Sequence, residues 1–332
     1  MSVLLKTALA FILTWSTSCL SEANYAVHPA ALALVDELVE EEGFERAELV
    51  ALFAQVETKD SILKAMARPA EKSKPWYEYR EIFVTSKRER EGVAFYAKHR
   101  ETFQRAEREL GVPAEIILAI MGVETYYGRI TGSYRVMDAL STLAFDYPKR
   151  SVFFTKELKN YLILSREQGH DPLEMKGSYA GAMGYGQFMP SSYRAYAIDF
   201  DDDGKIDIWN NPVDAIGSVA NYFKAHGWKS DEPVVFAATV NGMVPEELFN
   251  KSLKPYESIG AFADAGVALA REAQPPLDPN AMATAMKFET KDAHEYWMGL
   301  HNFYVITRYN HSSMYAMSVY QLSQLLAARV AE

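Results

Sequence analysis

Apolar residues recur three and four apart from Pro29 to about Leu110, as in Leu32, Leu34, Val35, Leu38 and Val39 and again in Leu49, Val50, Leu52 and Phe53, the spacing that places them on one face of a helix. Gly43 separates the first two helices, and a loop around Pro69, Lys74 and Pro75 follows them. The charged run from Ser86 to Leu110 predicts one solvated helix with Val93, Phe95, Tyr96 and Phe103 turned inward. After Gly111 and Pro113 the next helix, reaching about Tyr127, carries Ile116, Ile117, Ala119, Ile120 and Val123 and leaves scarcely a polar face, so it is buried. Helical spacing continues through Ser151 to Leu164 and Pro212 to Trp228. From Asp231 the pattern changes. Val234 to Val240, Ala283 to Thr290 and Phe303 to Thr307 are short, β-branched or aromatic, and separated by Pro and Gly. They predict a small sheet inserted before a last helix, Ser313 to Val330.

The pattern gives a mainly α (α+β) chain. Its expected parts are an export signal over 1–23, a helical domain over 24–110, a compact helical core over 111–230, a small β domain over 231–301 and a returning segment over 302–332. At 332 residues, 49% of them hydrophobic, the chain can bury a large core. Its 20 Tyr and 17 Phe suit stacking on sugars and suit a core equally well. The net charge of -10 excludes nucleic acid as an expected partner and argues against adsorption to an anionic membrane. Removal of residues 1–23 would leave this charge unchanged, because Lys6 and Glu22 cancel.

Lys6 followed by the apolar stretch Thr7–Trp15 and small residues reads as a signal for export to the periplasm, and the stretch is too short to span a bilayer. Cys19 is the sole cysteine, at the place of an acylated residue, although Ser16, Thr17 and Ser18 depart from a lipobox and Ser21 and Ala23 offer ordinary cleavage. Two outcomes stay open: a soluble protein, or one anchored to the outer membrane through Cys19. A monomer with one cysteine has no disulfide.

Three constellations carry chemistry. In GVETYYG, residues 122–128, Glu124 ends the apolar helix. Burial disfavours an ionised carboxylate, so the group is expected to hold a proton and to serve as a general acid at a glycosidic oxygen. The competing reading is an ion pair with Arg129. In SYAGAMGYGQFMPSSY, residues 178–193, three glycines let backbone approach a ligand, and Ser178 and Gln187 offer hydroxyl and amide groups to a sugar. The reading as a dinucleotide loop is weak, because the glycines run in reverse order and no strand is expected before them. The third, DFDDDGKIDIWNNPVDAIG, spans 199–217. There Asp199, Asp201, Asp203 and Gly204 take positions one, three, five and six of an EF-hand-like calcium loop over 199–214, with Ile206 and Asp207 at eight and nine. The twelfth position is Asn210, not the usual glutamate, so Asp214 is the nearest candidate to complete the set. An empty acidic loop, with Asn211, Pro212 and Asp214 capping the next helix, is the alternative.

Together with KPWYEYR (74–80), DAIGSVANYFKAHGW (214–228) and NFYVITRYNHSSMYAM (302–317), these blocks closely resemble the lytic murein transglycosylase B family of Gram-negative bacteria. The resemblance covers almost the whole chain after the signal. It implies a lysozyme-like helical catalytic core with a flanking helical domain and a small inserted β domain. It also implies non-hydrolytic cleavage of the β-1,4 bond between N-acetylmuramic acid and N-acetylglucosamine, leaving 1,6-anhydromuramyl ends on peptidoglycan strands. By the same resemblance Glu124 is the acid/base, Ser178 and Gln187 line the cleft, and Tyr79, Tyr222, Tyr309, Asn310 and Tyr315 form groove walls. Asp199, Asp201, Asp203, the Lys205 carbonyl and Asp214 match calcium ligands, and no organic cofactor is implied; Asn210 and Asn211 make the loop before Asp214 one residue longer than the family's shorter form. A hydrolytic muramidase using Asp138 or Asp146 as a second carboxylate, and a non-catalytic peptidoglycan-binding scaffold, are the rivals.

Overall fold

The computed structural model describes residues 24–67, 74–271 and 276–330. The expected signal and Cys19 lie outside the described residues. By internal contacts the chain divides into two compact units, ending and beginning at Thr58 and Lys59, so the division falls well before Leu110. In the first unit, α1 (Pro29–Glu42) and α2 (Arg46–Phe53) bury Leu34, Val35, Leu38, Leu49 and Phe53 with Tyr25. Gly43, at φ 67°, ends α1 in the left-handed conformation.

The second unit begins with α3 (Asp60–Met66) and α4 (Trp76–Phe83). The run expected as one helix is two, α5 (Ser86–Lys98) and α6 (Arg100–Leu110), broken at His99. Both halves pack on the buried α7 (Ala114–Thr125), but α5 also meets the C-terminal helix Ser313–Val330 whereas α6 meets the helix Pro212–Ala225, and the break lets each half follow its own second neighbour. Beyond α7 come the two-residue strand β1 (Tyr134–Arg135), α8 (Val136–Asp146), α9 (Ser151–Gln168) and β2 (Lys176–Gly177), which pairs antiparallel with β1. A short strand therefore does precede the glycine loop. The loop is closed on itself by bridges of Met183 with Gly177 and Phe188 instead of opening into a helix, which still separates it from a dinucleotide fingerprint. α10 (Pro190–Tyr196) and α11 (Pro212–Ala225) flank the acidic loop.

The small sheet consists of β3 (Val235–Val240), β4 (Glu257–Ser258), β5 (Val267–Leu269), β6 (Met282–Glu289) and β7 (His294–Gly299), ordered β4-β6-β7-β3-β5 and antiparallel throughout. One face closes over its own core of Phe249, Phe262, Val267, Ala283, Ala285 and Met298 with α12 (Ile259–Asp264). The other meets the helical body, where Phe288 packs on Trp76 of α4 at 5.0 Å between rings. Phe303–Thr307, expected as a strand, falls within α13 (His301–Tyr309), which buries Asn302, Phe303, Val305, Ile306 and Thr307. Its β-branched residues are tolerated because tertiary burial outweighs the few tenths of a kcal/mol of intrinsic preference. α14 (Ser313–Val330) then packs along α7.

Candidate active site

Glu124 is the penultimate residue of α7, half-buried in a helix whose other positions from Ile116 onward are buried. Three successive left-handed residues, Tyr126, Tyr127 and Gly128, stop the helix immediately after it. For the two tyrosines this conformation costs about 1–2 kcal/mol each, so the turn needs holding. Thr125 Oγ1 donates to the Tyr185 carbonyl (2.8 Å) and accepts from Gly128 N (3.0 Å), tying the turn to the glycine loop. Tyr127 Oη donates to the Arg88 carbonyl (2.9 Å). Its ring lies so close over Gly122 that a Cβ there would fall 2.7 Å from the hydroxyl, so only glycine fits two residues before Glu124. Arg88 is itself buried. Its guanidinium donates to the Gly122 carbonyl (2.9 Å), to Phe83 (3.0 Å) and to Ile82, and it lies 4.6 Å from the Tyr126 ring centre. One cation thus joins the C-terminal ends of α4 and α7, sharing the Gly122 carbonyl with Tyr126 N (3.2 Å). Burial lowers its pKa from the usual arginine value.

From α14, Tyr315 Oη donates to Glu124 Oε1 across 191 positions of sequence. A hydroxyl donating to a carboxylate favours the anion, opposing the effect of burial. Burial, and after it the Glu124 charge, pushes the hydroxyls of both Tyr315 and Tyr309 well above the usual phenol range. Both remain donors at neutral pH. Tyr309 Oη donates to the Gly186 carbonyl (2.6 Å), and a Cβ at Gly186 would meet that oxygen at 2.8 Å. Tyr222 Oη donates to the Arg308 carbonyl (2.6 Å), and its ring is 4.7 Å from that of Tyr309. Tyr79, buried on α4, adds to the environment that keeps Tyr315 neutral. Gln187, at φ 52°, donates its amide to Thr131 (3.1 Å) and Gly184 (3.0 Å), so only its carbonyl is left for a ligand. Ser178 Oγ accepts from Ala180 N (3.3 Å) and Ala182 N (3.1 Å) at the other end of the glycine loop. Asn310 follows Tyr309 directly and gives its carbonyl to Ser312 N (2.7 Å).

The structure thus brings Tyr309 and Tyr315 to the Glu124 carboxylate, with Tyr79 beside Tyr315 and with Gln187 and Tyr222 joined through Gly184, Gly186 and Tyr309. Arg129, considered above as an ion-pair partner of Glu124, bridges to Glu91. Asp138 is buried, with its two oxygens each 2.8 Å from the Arg135 guanidinium and Lys59 at 3.9 Å. Arg88 and Tyr127 had no legible role in the sequence: Arg88 is one of several cations in a run that reads as solvated.

In the acidic loop, oxygens of Asp199, Asp201 and Asp203 lie within 4.8 Å of one another. Opposite oxygens around calcium are separated by about 4.6–5.2 Å, so this spacing fits a hard cation. Asp214 is not in that group. It is fully buried, and its oxygens accept from Phe200 N and Asp207 N, each at 2.8 Å. Burial raises its pKa, the two N–H groups oppose this, and the charges of Asp201 and Asp199 add to the rise. The loop also braces the glycine loop, because Ile208 accepts from Tyr185 N (3.0 Å) and a Cβ at Gly184 would collide with that carbonyl. Among the described residues, no helix is long and apolar enough to cross a membrane.

Residues 27–324 match the family model described as a transglycosylase SLT domain. The chain is 45% identical over 318 residues to membrane-bound lytic murein transglycosylase B of Escherichia coli (strain K12), covering 92% of this chain and 85% of that protein. It is similar to the structure of E. coli lytic transglycosylase Slt35 in complex with calcium, with a TM-score of 0.84 and 42% identity over 94% of this chain and 96% of that one. It is similar also to SltB3 of Pseudomonas aeruginosa in complex with NAG-NAM-pentapeptide, with a TM-score of 0.77 and 30% identity over 89% of this chain and 78% of that one.

Proposed function

The chain belongs to the transglycosylase SLT family and is a peptidoglycan lytic transglycosylase of lysozyme-like fold, and from that premise we propose that Glu124 is its single acid and base. The observation that carries the assignment is the contact with Tyr315 at the end of a buried helix. Protonated Glu124 gives its proton to the glycosidic oxygen of N-acetylglucosamine as the bond from the muramyl anomeric carbon breaks, and the substrate's N-acetyl oxygen stabilises the positive charge there. The resulting carboxylate, held by Tyr315, takes the proton of the muramyl C6 hydroxyl while that oxygen closes on the anomeric carbon. The net change moves one proton from the C6 hydroxyl to the leaving oxygen and consumes no water. Gln187 through its carbonyl, Ser178 through its hydroxyl and Asn310 through its amide orient N-acetyl and hydroxyl groups, while Tyr79, Tyr222, Tyr309 and Tyr315 shape the wall.

A muramidase requires a second carboxylate beside the attacking water. The two-toothed Arg135 pair occupies Asp138, which speaks against that residue as the second carboxylate. Mass spectrometry of digested peptidoglycan tests this: anhydromuramyl ends are expected, and reducing muramic ends would overturn it. Glu124→Gln is expected to abolish release of either product, whereas undiminished turnover in that variant would remove Glu124 from the chemistry.

We further propose calcium as a structural ion, held by Asp199, Asp201, Asp203 and the Lys205 carbonyl, with Asp214 organising the loop through its two backbone contacts. Its charge offsets the repulsion among the carboxylates. The proposed setting is the periplasm of a Gram-negative cell, as a monomer that is either soluble or tethered to the outer membrane through Cys19.

A further inference from the structure

α4 has only 8 residues, and a helix that short does not hold itself in water, so its place is set by what grips it. Three of the grips are polar. At its N-terminal end the Trp76 indole donates to Glu295 on β7, in its middle Arg80 Nε donates to Gln321 on α14, and at its C-terminal end the carbonyls of Ile82 and Phe83 accept from Arg88. Trp76, Tyr79 and Phe83 are spaced to share one face of the helix. Trp76 and Tyr79 are both buried, and the rings of Tyr79 and Phe83 are 5.3 Å apart. Tyr79 therefore stands between the grip on the small sheet and the grip on α14, beside Tyr315.

The small sheet offers Trp76 a shaped seat. Phe288 and Glu295 are opposed partners in the β6–β7 ladder, so both side chains leave the same face of the sheet. Phe288 takes the indole ring at 5.0 Å and 39° between planes, and Glu295 takes its N–H. The ring contact sets the depth of Trp76, and the bond to a carboxylate sets its rotation. Trp297 leaves the same face towards Tyr320 of α14, at 6.4 Å between rings, yet its buried indole N–H has no partner among the described residues. Packing against the helical body thus does not of itself call for a carboxylate at the indole. Lys291 and Glu81 also bridge the hairpin to α4, at 3.9 Å, but both are largely exposed and add little.

Resting on the reading of Tyr79 as groove wall, we propose that Trp76 and Glu295 are positioning residues for the glycan: their contact seats α4 on the small sheet and so sets the Tyr79 hydroxyl beside the Glu124–Tyr315 pair. Trp76 and Tyr79 are separated by about 4.5 Å of helix rise, so a displacement of the first reaches the second almost undiminished. The small sheet then takes part in substrate binding at one remove, through a helix of the catalytic body.

The test is a double-mutant cycle. Glu295→Leu removes the acceptor at similar volume, Glu295→Gln keeps an acceptor oxygen, and Tyr79→Phe removes the hydroxyl that the contact seats. On purified glycan strands, at a temperature where every variant is folded by circular dichroism, Glu295→Leu is expected to raise KM about 3- to 10-fold, the span of one net hydrogen bond. Its kcat is expected to stay within about 2-fold of wild type, as for a loss of uniform binding. Glu295→Gln should restore KM, and in the Tyr79→Phe background Glu295→Leu should add no further loss. An unchanged KM in Glu295→Leu, a Glu295→Gln variant equally impaired, or losses from Glu295→Leu and Tyr79→Phe that are independent of each other would leave only a packing contact and overturn the proposal, whatever the melting temperature does. Where Glu295→Leu does not fold, Trp76→Phe takes its place, since it keeps a ring against Phe288 and loses the donor. Calorimetric binding of NAG-NAM to the same variants made in the Glu124→Gln protein repeats the cycle without cleavage. A silent Tyr79→Phe sinks the wall assignment and the proposal together, whereas an impaired Tyr79→Phe beside a silent Glu295→Leu sinks the proposal alone.

Discussion

Replacing Arg88 with methionine tests whether the turn after Glu124 is held as the geometry indicates. The substitution keeps an unbranched apolar stem and removes three donated hydrogen bonds, to Gly122, Ile82 and Phe83. Bonds from a charged donor are worth about 1.5–3 kcal/mol each. Part of that is returned, because a buried guanidinium no longer has to be desolvated and the carbonyls, at helix ends, can partly rehydrate. The net loss is about 2–4 kcal/mol, or roughly 3–6 °C in melting temperature for a chain of this size. At a temperature where the variant is folded, kcat is expected to fall about 10- to 100-fold, the usual effect of displacing a reacting group by a fraction of an ångström to one ångström. KM should change little, since Tyr222 and Tyr309 are untouched. Arg88→Lys should recover only part of the loss, because a single ammonium cannot fork to carbonyls on two helices. Calorimetric melting and release of anhydromuropeptides measure both quantities. A melting temperature within about 1 °C of wild type, together with unchanged kcat, would refute the reasoning.

Chelation of calcium is expected to lower the melting temperature by roughly 4 °C, corresponding to the ~2.7 kcal/mol contributed by a ligand at a hundred times its Kd. Calcium should restore it and magnesium should do so less well, and Asp201→Asn should blunt the response; a melting curve indifferent to chelator denies the site. Burial raises the hydroxyl pKa of Tyr127, Tyr161, Tyr193, Tyr222, Tyr309 and Tyr315. The unfolded chain therefore loses these protons first as pH rises past about 10, so their contribution is complete below that pH and fades above it. Between pH 9 and 11 the loss is about 1.4 kcal/mol per tyrosine. Urea melts should show this decline, and native tyrosinate absorbance that titrates fully near pH 10 would contradict it.

What the sequence made legible was local. The buried helix ending in Glu124, the glycine loop and the acidic loop each declare themselves within about twenty residues, because apolar periodicity, glycine spacing and alternate aspartates are properties of short stretches. The misread elements depend on distant neighbours. Nothing in Ser86–Leu110 marks the break at His99, which follows from the different second neighbours of the two halves. Phe303–Thr307 has strand composition and is helical because the surrounding body buries it.

The same division runs through the site. Glu124 is identifiable from its helix, but its hydrogen-bond donor comes from α14, the support of its helix end comes from α5, and the wall beside it comes from α13. A carboxylate that must be neutral in one step and charged in the next requires burial and a donor together, since burial alone favours the acid and the donor alone favours the base. Sequence supplies the first of these at GVETYYG. Only the fold brings Tyr315 to it, and for that reason the two opposed roles proposed for the residue become intelligible only after the chain has closed on itself.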